Sequence, residues 1–158
     1  MRVVITADHN GVALKAHLVA LLAEWGHDVE DRAPHVGAEV VDYPPLCADV
    51  CGQVVSGAGD RAVVVGGSGQ GEAIACNKIR GIRAGLCQDL FSTRVSRGNN
   101  NSNVLVIGAK VVTPALAGQI LRTWMETPFN GGVHQRRVEM IGALERGQAP
   151  APGAGSHT

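Results

Sequence analysis

The apolar and polar positions of this chain follow two different periods in turn. Apolar runs such as residues 2–7 and 62–65 show little polar alternation, which is typical of strands that are covered on both faces. Between these runs, apolar side chains recur at the spacing of one helix face. Strands that alternate with helices predict βαβ units around a parallel sheet. The pattern therefore predicts an α/β fold.

Five strands and six helices follow from this pattern. The chain has 158 residues, and its length suits a single domain over residues 1–146. Residues 147–158 are rich in Pro, Gly and Ala and have the composition of a disordered tail. The predicted strands are 2–7, 27–31, 62–65, 84–87 and 104–107, and the predicted helices are 14–25, 44–55, 72–79, 89–97, 113–124 and 134–145.

Composition and charge narrow the range of functions. The 14 acidic and 14 basic residues balance, so no net field attracts nucleic acid or an anionic membrane surface. Aromatic residues make up only 3% of the chain, which argues against a base-stacking surface. The apolar start of the chain is too short for a signal peptide or a membrane span. We therefore expect a cytoplasmic protein that binds neither nucleic acid nor membrane.

The four cysteines, Cys47, Cys51, Cys76 and Cys87, lie in apolar segments. Because the chain carries no export signal, we expect buried thiols rather than disulfides. Cys47 and Cys51 share one face of a predicted helix, but no histidine nearby completes a set of zinc ligands. The sequence therefore predicts no metal site.

Polar residues and glycines gather where the predicted strands end. The carboxyl ends of parallel strands meet at one edge of a sheet, and ligands of open α/β sheets bind there. We therefore expect these groups to form one rim around a site. The groups are Asp8-His9, Asp42-Tyr43, the turn 66–71, Gln88-Asp89 and Gly108-Ala109-Lys110.

The sharpest local signal is the turn Gly66-Gly67-Ser68-Gly69-Gln70-Gly71, which Glu72 follows directly. Glycines ahead of a helix let backbone N–H groups converge on an anion. The turn lacks the Gly-Lys-Ser/Thr ending of a nucleotide loop and the Gly-x-Gly-x-x-Gly spacing of dinucleotide-binding folds. Glu72 would repel a phosphate, but it suits proton transfer beside an enediolate. Two alternatives stay open: the glycines serve tight strand-to-helix packing, and Glu72 stabilises a helix N-terminus.

Two further features have a functional and a structural interpretation. His9 lies beside Asp8 and is placed to contact a ligand, although a lone histidine after a strand often has a structural role. Arg136 and Arg137 follow His134, and a guanidinium there suits a phosphate clamp. The alternative for these arginines is a solvated helix face.

Six separated motifs occur in one order along the chain: Ala7-Asp8-His9-Asn10-Gly11, Asp42-Tyr43-Pro44, the segment 66–72, Ala75-Cys76-Asn77-Lys78, Asn100 with Asn103-Val104-Leu105, and His134-Gln135-Arg136-Arg137-Val138. Together they resemble the type B ribose-5-phosphate isomerases and their galactose-6-phosphate isomerase relatives. The resemblance implies a Rossmann-like α/β/α sandwich of three layers around a five-stranded parallel sheet. It also implies a homodimer or a dimer of dimers with sites shared between subunits, and no cofactor.

The resemblance implies catalytic roles at the glycine-rich turn. Glu72 corresponds to the proton-transferring base of one subgroup, whereas other members use a cysteine at the position of Gly66. The anion hole for the enediolate corresponds to Ser68 and to the backbone of Gly67, Gly69 and Gly71.

The resemblance also implies contacts with the substrate. Asp8, Tyr43 and Asn100 correspond to contacts with sugar hydroxyls. His9 and Arg137 correspond to contacts with the phosphate.

Three positions depart from the pattern of that family. Asn99 stands where a histidine that helps to open the furanose ring is usual, and an amide cannot shuttle a proton near neutral pH. Val133 replaces one arginine of the phosphate clamp. Lys110 replaces another and loses the planar fork.

The sequence thus predicts an aldose–ketose isomerase of a small sugar phosphate that works through an enediolate on substrates of the ribose 5-phosphate/ribulose 5-phosphate type. Because of the departures, a four-carbon substrate pair, erythrose 4-phosphate and erythrulose 4-phosphate, is an alternative that needs no ring opening. A protein that binds sugar phosphates without catalysis is an alternative of another class.

Overall fold

The computed structural model describes residues 1–32 and 39–150. Strands and helices alternate through most of this part of the chain, and two helices follow the last strand. The strands are β1 Arg2–Ala7, β2 Asp28–Asp31, β3 Arg61–Gly66, β4 Ala84–Leu86 and β5 Val104–Gly108. The helices are α1 Val12–Glu24, α2 Tyr43–Ser56, α3 Gln70–Asn77, α4 Leu90–Gly98, α5 Pro114–Glu126 and α6 Val133–Glu145.

The five strands form one sheet in the order β2-β1-β3-β5-β4, and every pairing is parallel. The register places Ala7 beside Val65, and Gly66 beside Gly108. The predicted parallel five-stranded sheet is confirmed. The turns that follow the strands therefore lie at one edge of the sheet.

Each face of the sheet is covered by its own core, which gives three layers. One core joins alternate residues of β1, β3 and β5, such as Ile5 and Ile107, to the apolar faces of α1 and α5. The other joins the intervening residues, such as Val4 and Val64, to α2 and α3. Strand residues that are buried on both faces explain why the apolar runs show so little polar alternation.

The observed elements begin and end within a few residues of their predicted bounds. The differences at helix starts depend on the caps, which decide the first residue. α3 begins at Gln70 rather than at 72, because Gly69 takes a left-handed conformation with φ of 79° and caps it. Asp89 and Thr113 lie outside the helices that they cap. Residues 151–158 of the predicted tail lie outside the described residues.

All four cysteines are buried and unpaired, as the sequence predicts. Among the described helices, none has both the length and the apolar character that crossing a membrane requires.

Candidate active site

The site lies where the direction of chain winding reverses. From β1 the chain passes outward to β2, and from there it returns to β3 on the other side of β1. Ligands of doubly wound sheets bind in the crevice at such a switch point, beyond the carboxyl ends of the strands. Asp8 follows β1, and the turn 66–71 leaves β3 at this crevice. The N–H of Asp8 donates to the carbonyl of Val65 at 3.0 Å and holds the two turns together.

The carbonyl groups of the glycine-rich turn are paired with the neighbouring elements. The N–H groups of Ala109 and Lys110 donate to the carbonyl oxygens of Gly66 and Gly67 at 2.8 and 2.9 Å. Gln88 Nε2 donates to the carbonyl oxygen of Ser68 at 3.3 Å. This pairing fixes the turn from the side of β4 and β5.

The N–H groups of the same turn remain available. Within the described residues, the N–H groups of Gly67, Ser68 and Gly69 donate to no protein acceptor. The N–H of Gln70 donates to Ser68 Oγ at 3.2 Å, which leaves the hydroxyl proton of that serine for a ligand. Convergent donors at the start of a helix form a site for negative charge. The turn therefore has the properties of an oxyanion hole.

Glu72 lies in the first turn of α3, and its side chain is only 4% exposed. The carboxyl group occupies the volume that a side chain at position 66 would need. A Cβ added to Gly66 would lie 2.6 Å or less from the Glu72 carboxyl carbon and from both oxygens. Glycine at position 66 is therefore required for the carboxylate to approach the end of β3.

The surroundings of Glu72 favour its protonated form. Burial raises the pKa of this carboxyl above its usual range, and the negative charge of Asp8 raises it further. Its own backbone N–H opposes the shift. A carboxylate with a raised pKa is a stronger proton acceptor, which is the property that a general base needs.

Asp8 is held in place by Asn10. The backbone N–H of Asn10 donates to Asp8 Oδ1 at 2.8 Å, and its amide Nδ2 donates to Oδ2 at 3.0 Å. The same amide lies against the glycine-rich turn, since a Cβ on Gly67 would be 3.3 Å from Nδ2. Asn10 thus joins the turn after β1 to the turn after β3.

The imidazole of His9 lies between two donors. Val41 N lies 3.4 Å from Nδ1, and Asn10 Nδ2 lies 3.3 Å from Nε2. A neutral imidazole has one acceptor nitrogen, so it can accept only one of these bonds.

Tyr43 and Lys110 complete the rim at this edge of the sheet. The hydroxyl of Tyr43 lies beside Gly71, so close that a Cβ there would contact its phenol ring. Lys110 follows β5 next to Gly67 and its side chain is exposed. The structure thus brings together most of the predicted site residues within one chain: Asp8, His9, Tyr43, Gly67, Ser68, Gly69, Gly71, Glu72 and Lys110.

Three predicted residues do not join them. Asn99 and Asn100 follow α4 and precede β5, so they lie at the amino ends of the strands, opposite Glu72. Asn99 Oδ1 accepts from Asn130 Nδ2 at 3.2 Å, in the segment that leads to α6. Arg137 is exposed on α6, a helix that buries none of its residues. Within a single chain, these three residues therefore lie apart from Glu72.

Sequence reasoning missed Asn10 and the role of Gln88. Asn10 was visible between His9 and Gly11 in a recognised motif, but its contacts depend on side-chain geometry. Gln88 was expected at the carboxyl edge of the sheet, but the sequence indicated no role for it. Within residues 1–32 and 39–150, no group of three or more His, Cys, Asp or Glu side chains is placed to hold a metal ion.

At the switch point of this Rossmann-like sandwich, a buried carboxylate lies beside backbone donors that have no protein acceptor in the described residues. This arrangement is suited to proton transfer next to an oxyanion. The chain belongs to the ribose/galactose isomerase family, whose model matches residues 3–141. Members of that family are sugar-phosphate isomerases, so the resemblance of the motifs is confirmed.

Individual relatives match over nearly their whole length. Ribose-5-phosphate isomerase B of Escherichia coli (strain K12) is 39% identical over 145 residues, which are 92% of this chain and 97% of that protein. Ribose-5-phosphate isomerase B of Mycobacterium leprae (strain TN) is 34% identical over 157 residues, 98% and 97% of the two chains. The solved structure of Clostridium thermocellum ribose-5-phosphate isomerase B has a TM-score of 0.91 and 41% identity, and the match covers 93% of this chain and 99% of that one.

Proposed function

We propose that the protein interconverts the aldose and ketose forms of a small sugar phosphate, of the ribose 5-phosphate/ribulose 5-phosphate type, with Glu72 as the base. The principal support is the placement of Glu72, which is 4% exposed and whose carboxyl lies against Gly66. There it is beside the turn 66–71, in which the N–H groups of Gly67, Ser68 and Gly69 donate to no protein acceptor in the described residues. The names of the relatives agree with this substrate class.

The reaction needs one base and one oxyanion site. Glu72 removes the proton from the carbon beside the carbonyl, and the electron pair moves onto the carbonyl oxygen to form an enediolate. The N–H groups of Gly67, Ser68 and Gly69 stabilise that oxygen. The hydroxyl proton on O2 then passes to O1, and Glu72 returns its proton to C1 as the carbonyl forms at C2. General base catalysis contributes about 10²–10⁴-fold, and one oxyanion donor about 3 kcal/mol.

The substrate proton reports on this chemistry directly. In D2O, the wild-type protein should exchange the C2 proton of ribose 5-phosphate or of erythrose 4-phosphate and form ketose. The Glu72→Gln variant should fold, bind and do neither. A wild-type protein that binds both sugars without exchange would support the alternative class, a non-catalytic sugar-phosphate-binding protein.

We assign Asp8 and Tyr43 to sugar hydroxyls, and His9 and Lys110 to the phosphate end. Asn99, Asn100 and Arg137 would reach the site from a second copy of the chain, in a homodimer or a dimer of dimers. Two observations support this sharing: Asn99 and Asn100 lie at the sheet edge opposite Glu72, and α6, which carries Arg137, buries no residue in its own chain.

Subunit mixing tests the shared site. Glu72→Gln homodimers should be inactive, and Asn100→Ala homodimers should lose about tenfold in kcat/KM, so activity is measured with substrate well below KM. After the two are unfolded together and refolded, half of the dimers are mixed, and each mixed dimer places both changes in one site and leaves the other intact. About a quarter of the wild-type activity should return. If each chain builds its site alone, mixing would restore nothing.

A four-carbon substrate is the second candidate, and Asn99 is the observation that favours it. The amide of Asn99 is paired with Asn130 and cannot transfer a proton, so ring opening lacks a catalyst. Erythrose 4-phosphate cannot close a furanose ring, because its terminal oxygen is esterified. The ratio of kcat/KM for erythrose 4-phosphate to that for ribose 5-phosphate decides between the candidates. A strong preference for ribose 5-phosphate would remove the four-carbon proposal.

A further inference from the structure

The loop between α4 and β5 reverses direction at a single residue. Asn101 has a φ of 48° and is the one non-glycine residue with positive φ in the described part of the chain. Its N–H donates to the carbonyl of Arg97 at 3.2 Å, while those of Asn99 and Asn100 donate to Val95 at 2.9 and 3.3 Å. Strained residues persist where their surroundings over-determine them, and they cluster at functional sites.

The buried side chain of Arg97 fixes this turn through hydrogen bonds to the loop. Its Nη1 donates to Asn101 Oδ1 at 3.0 Å and to the carbonyl oxygen of Ser102 at 2.5 Å. Arg83 Nε donates to the carbonyl oxygen of Asn101 at 3.0 Å. Ser102 is itself fixed by Trp124 Nε1, which donates to its hydroxyl at 2.8 Å. Every polar group of Asn101 except its own Nδ2 is therefore paired.

The burial of Arg97 carries an energetic cost. Arg97 is 6% exposed, no carboxylate pairs with it in the described residues, and its buried Nε has no partner. Burial and the charges of Arg61 and Arg83 lower its pKa to about 10. The guanidinium lies 5.8 Å from the centroid of the Trp124 ring, which compensates only part of its desolvation. Its hydrogen bonds to the loop offset part of this cost, and removing the guanidinium would leave the acceptors of Asn101 and Ser102 without this donor.

We infer that Arg97 and Asn101 are positioning residues that display Asn99 and Asn100 outward from the end of α4, toward the substrate in the site of a second copy. This inference rests on the proposed function, because it needs Asn100 to contact the sugar. Arg97 and Asn101 act through the loop that carries Asn99 and Asn100 and do not contact the substrate themselves.

The experiment compares Arg97→Met, Asn101→Gly and Asn100→Ala in the dimer. Glycine keeps the positive φ and removes only the side chain of Asn101, so the fold should survive. Each variant should raise KM about tenfold, the effect of one lost hydrogen bond, and kcat should change much less. Arg97→Met should also lower the midpoint of thermal unfolding by a few degrees, because the acceptors of Asn101 and Ser102 lose their donor.

Asn103→Ala is the matched control in the same loop. It removes the bonds of Asn103 Oδ1 with Arg83 N at 2.8 Å and of Nδ2 with the carbonyl oxygen of Gly81 at 2.9 Å, which tie the loop to the start of β4. It should lower the unfolding midpoint and leave KM near the wild-type value.

The double variant Asn100→Ala/Asn101→Gly separates positioning from a general structural effect. If Asn101 acts through Asn100, the double variant should have the KM of Asn100→Ala alone. Effects on KM that multiply would overturn the inference, as would a normal KM in both Arg97→Met and Asn101→Gly when Asn100→Ala is impaired. A normal KM in Asn100→Ala would instead refute the proposed shared site, and the inference would fail with it.

Discussion

A methyl group at position 66 is the smallest change that should disable the site while the fold persists. In Gly66→Ala, the new Cβ would lie 2.6 Å or less from the carboxyl carbon and both oxygens of Glu72. Side-chain carbons do not approach other heavy atoms so closely, so the carboxyl group must retreat by about 1 Å. A displacement of about 1 Å in a catalytic group can lower the rate about a hundredfold.

The energetic cost of Gly66→Ala should stay small, because the atoms that it displaces are the end of a flexible side chain. Overpacking by one methyl group costs about 1 kcal/mol at the low end of its usual range. We therefore expect kcat/KM to fall about a hundredfold, and thermal unfolding to remain cooperative with a midpoint a few degrees lower. Steady-state isomerisation and circular dichroism on the same samples measure both quantities.

Gly52→Ala supplies the matched control. A Cβ at Gly52, inside α2, would have nothing within 4 Å, so the same methyl group should stabilise the helix by about 0.5–1 kcal/mol without any effect on turnover. Should Gly66→Ala keep kcat/KM within about threefold of the wild-type value while Glu72→Gln is inactive, the link between the two positions would be refuted.

Three further predictions concern charge and substrate. Because burial and Asp8 raise the pKa of Glu72, the acid limb of the kcat/KM profile should lie above the ordinary glutamate range, and Asp8→Asn should move it to lower pH; an unmoved limb would contradict the coupling. A carboxyl with a raised folded-state pKa destabilises the fold as pH rises through that pKa. Glu72→Gln should therefore unfold at a higher temperature than the wild type at about pH 8, and the difference should shrink at about pH 4. Equal unfolding midpoints at about pH 8 would contradict this prediction. Asn99→His should raise kcat/KM for ribose 5-phosphate more than for erythrose 4-phosphate, and a proportional rise for both would argue against a role in ring opening.

Much of the fold could be predicted from the sequence, because its signals are local. The buried runs of β3 and β5 have no polar alternation, and the capping residues Asp89 and Thr113 directly precede α4 and α5. The rim of the site followed from the parallel sheet alone. The order of the strands did not, because it depends on which apolar faces pack together over long sequence distances.

The site could be predicted only in part. Asp8 and Glu72 could be predicted from the sequence, because Asp8 follows a strand end and Glu72 follows a glycine-rich turn. The separation of Asn99 from Glu72 was also present in the sequence, because Asn99 precedes a strand whereas Glu72 follows one. The hydrogen bonds of Asn10 and Arg97 could not be predicted from the sequence, because they depend on side-chain directions across loops.

The pairing of a glycine at position 66 with a carboxylate at position 72 explains how the Glu72 side chain fits at the end of β3. The end of β3 offers one small volume beside the donors of Gly67 and Ser68, and that volume can hold a side chain from only one of the two positions. In this chain Glu72 reaches it from the first turn of α3, so Gly66 must contribute no atoms. A longer side chain at position 66 would fill the same volume from the strand itself. A residue larger than alanine at position 66 would therefore require a substitution at position 72 as well.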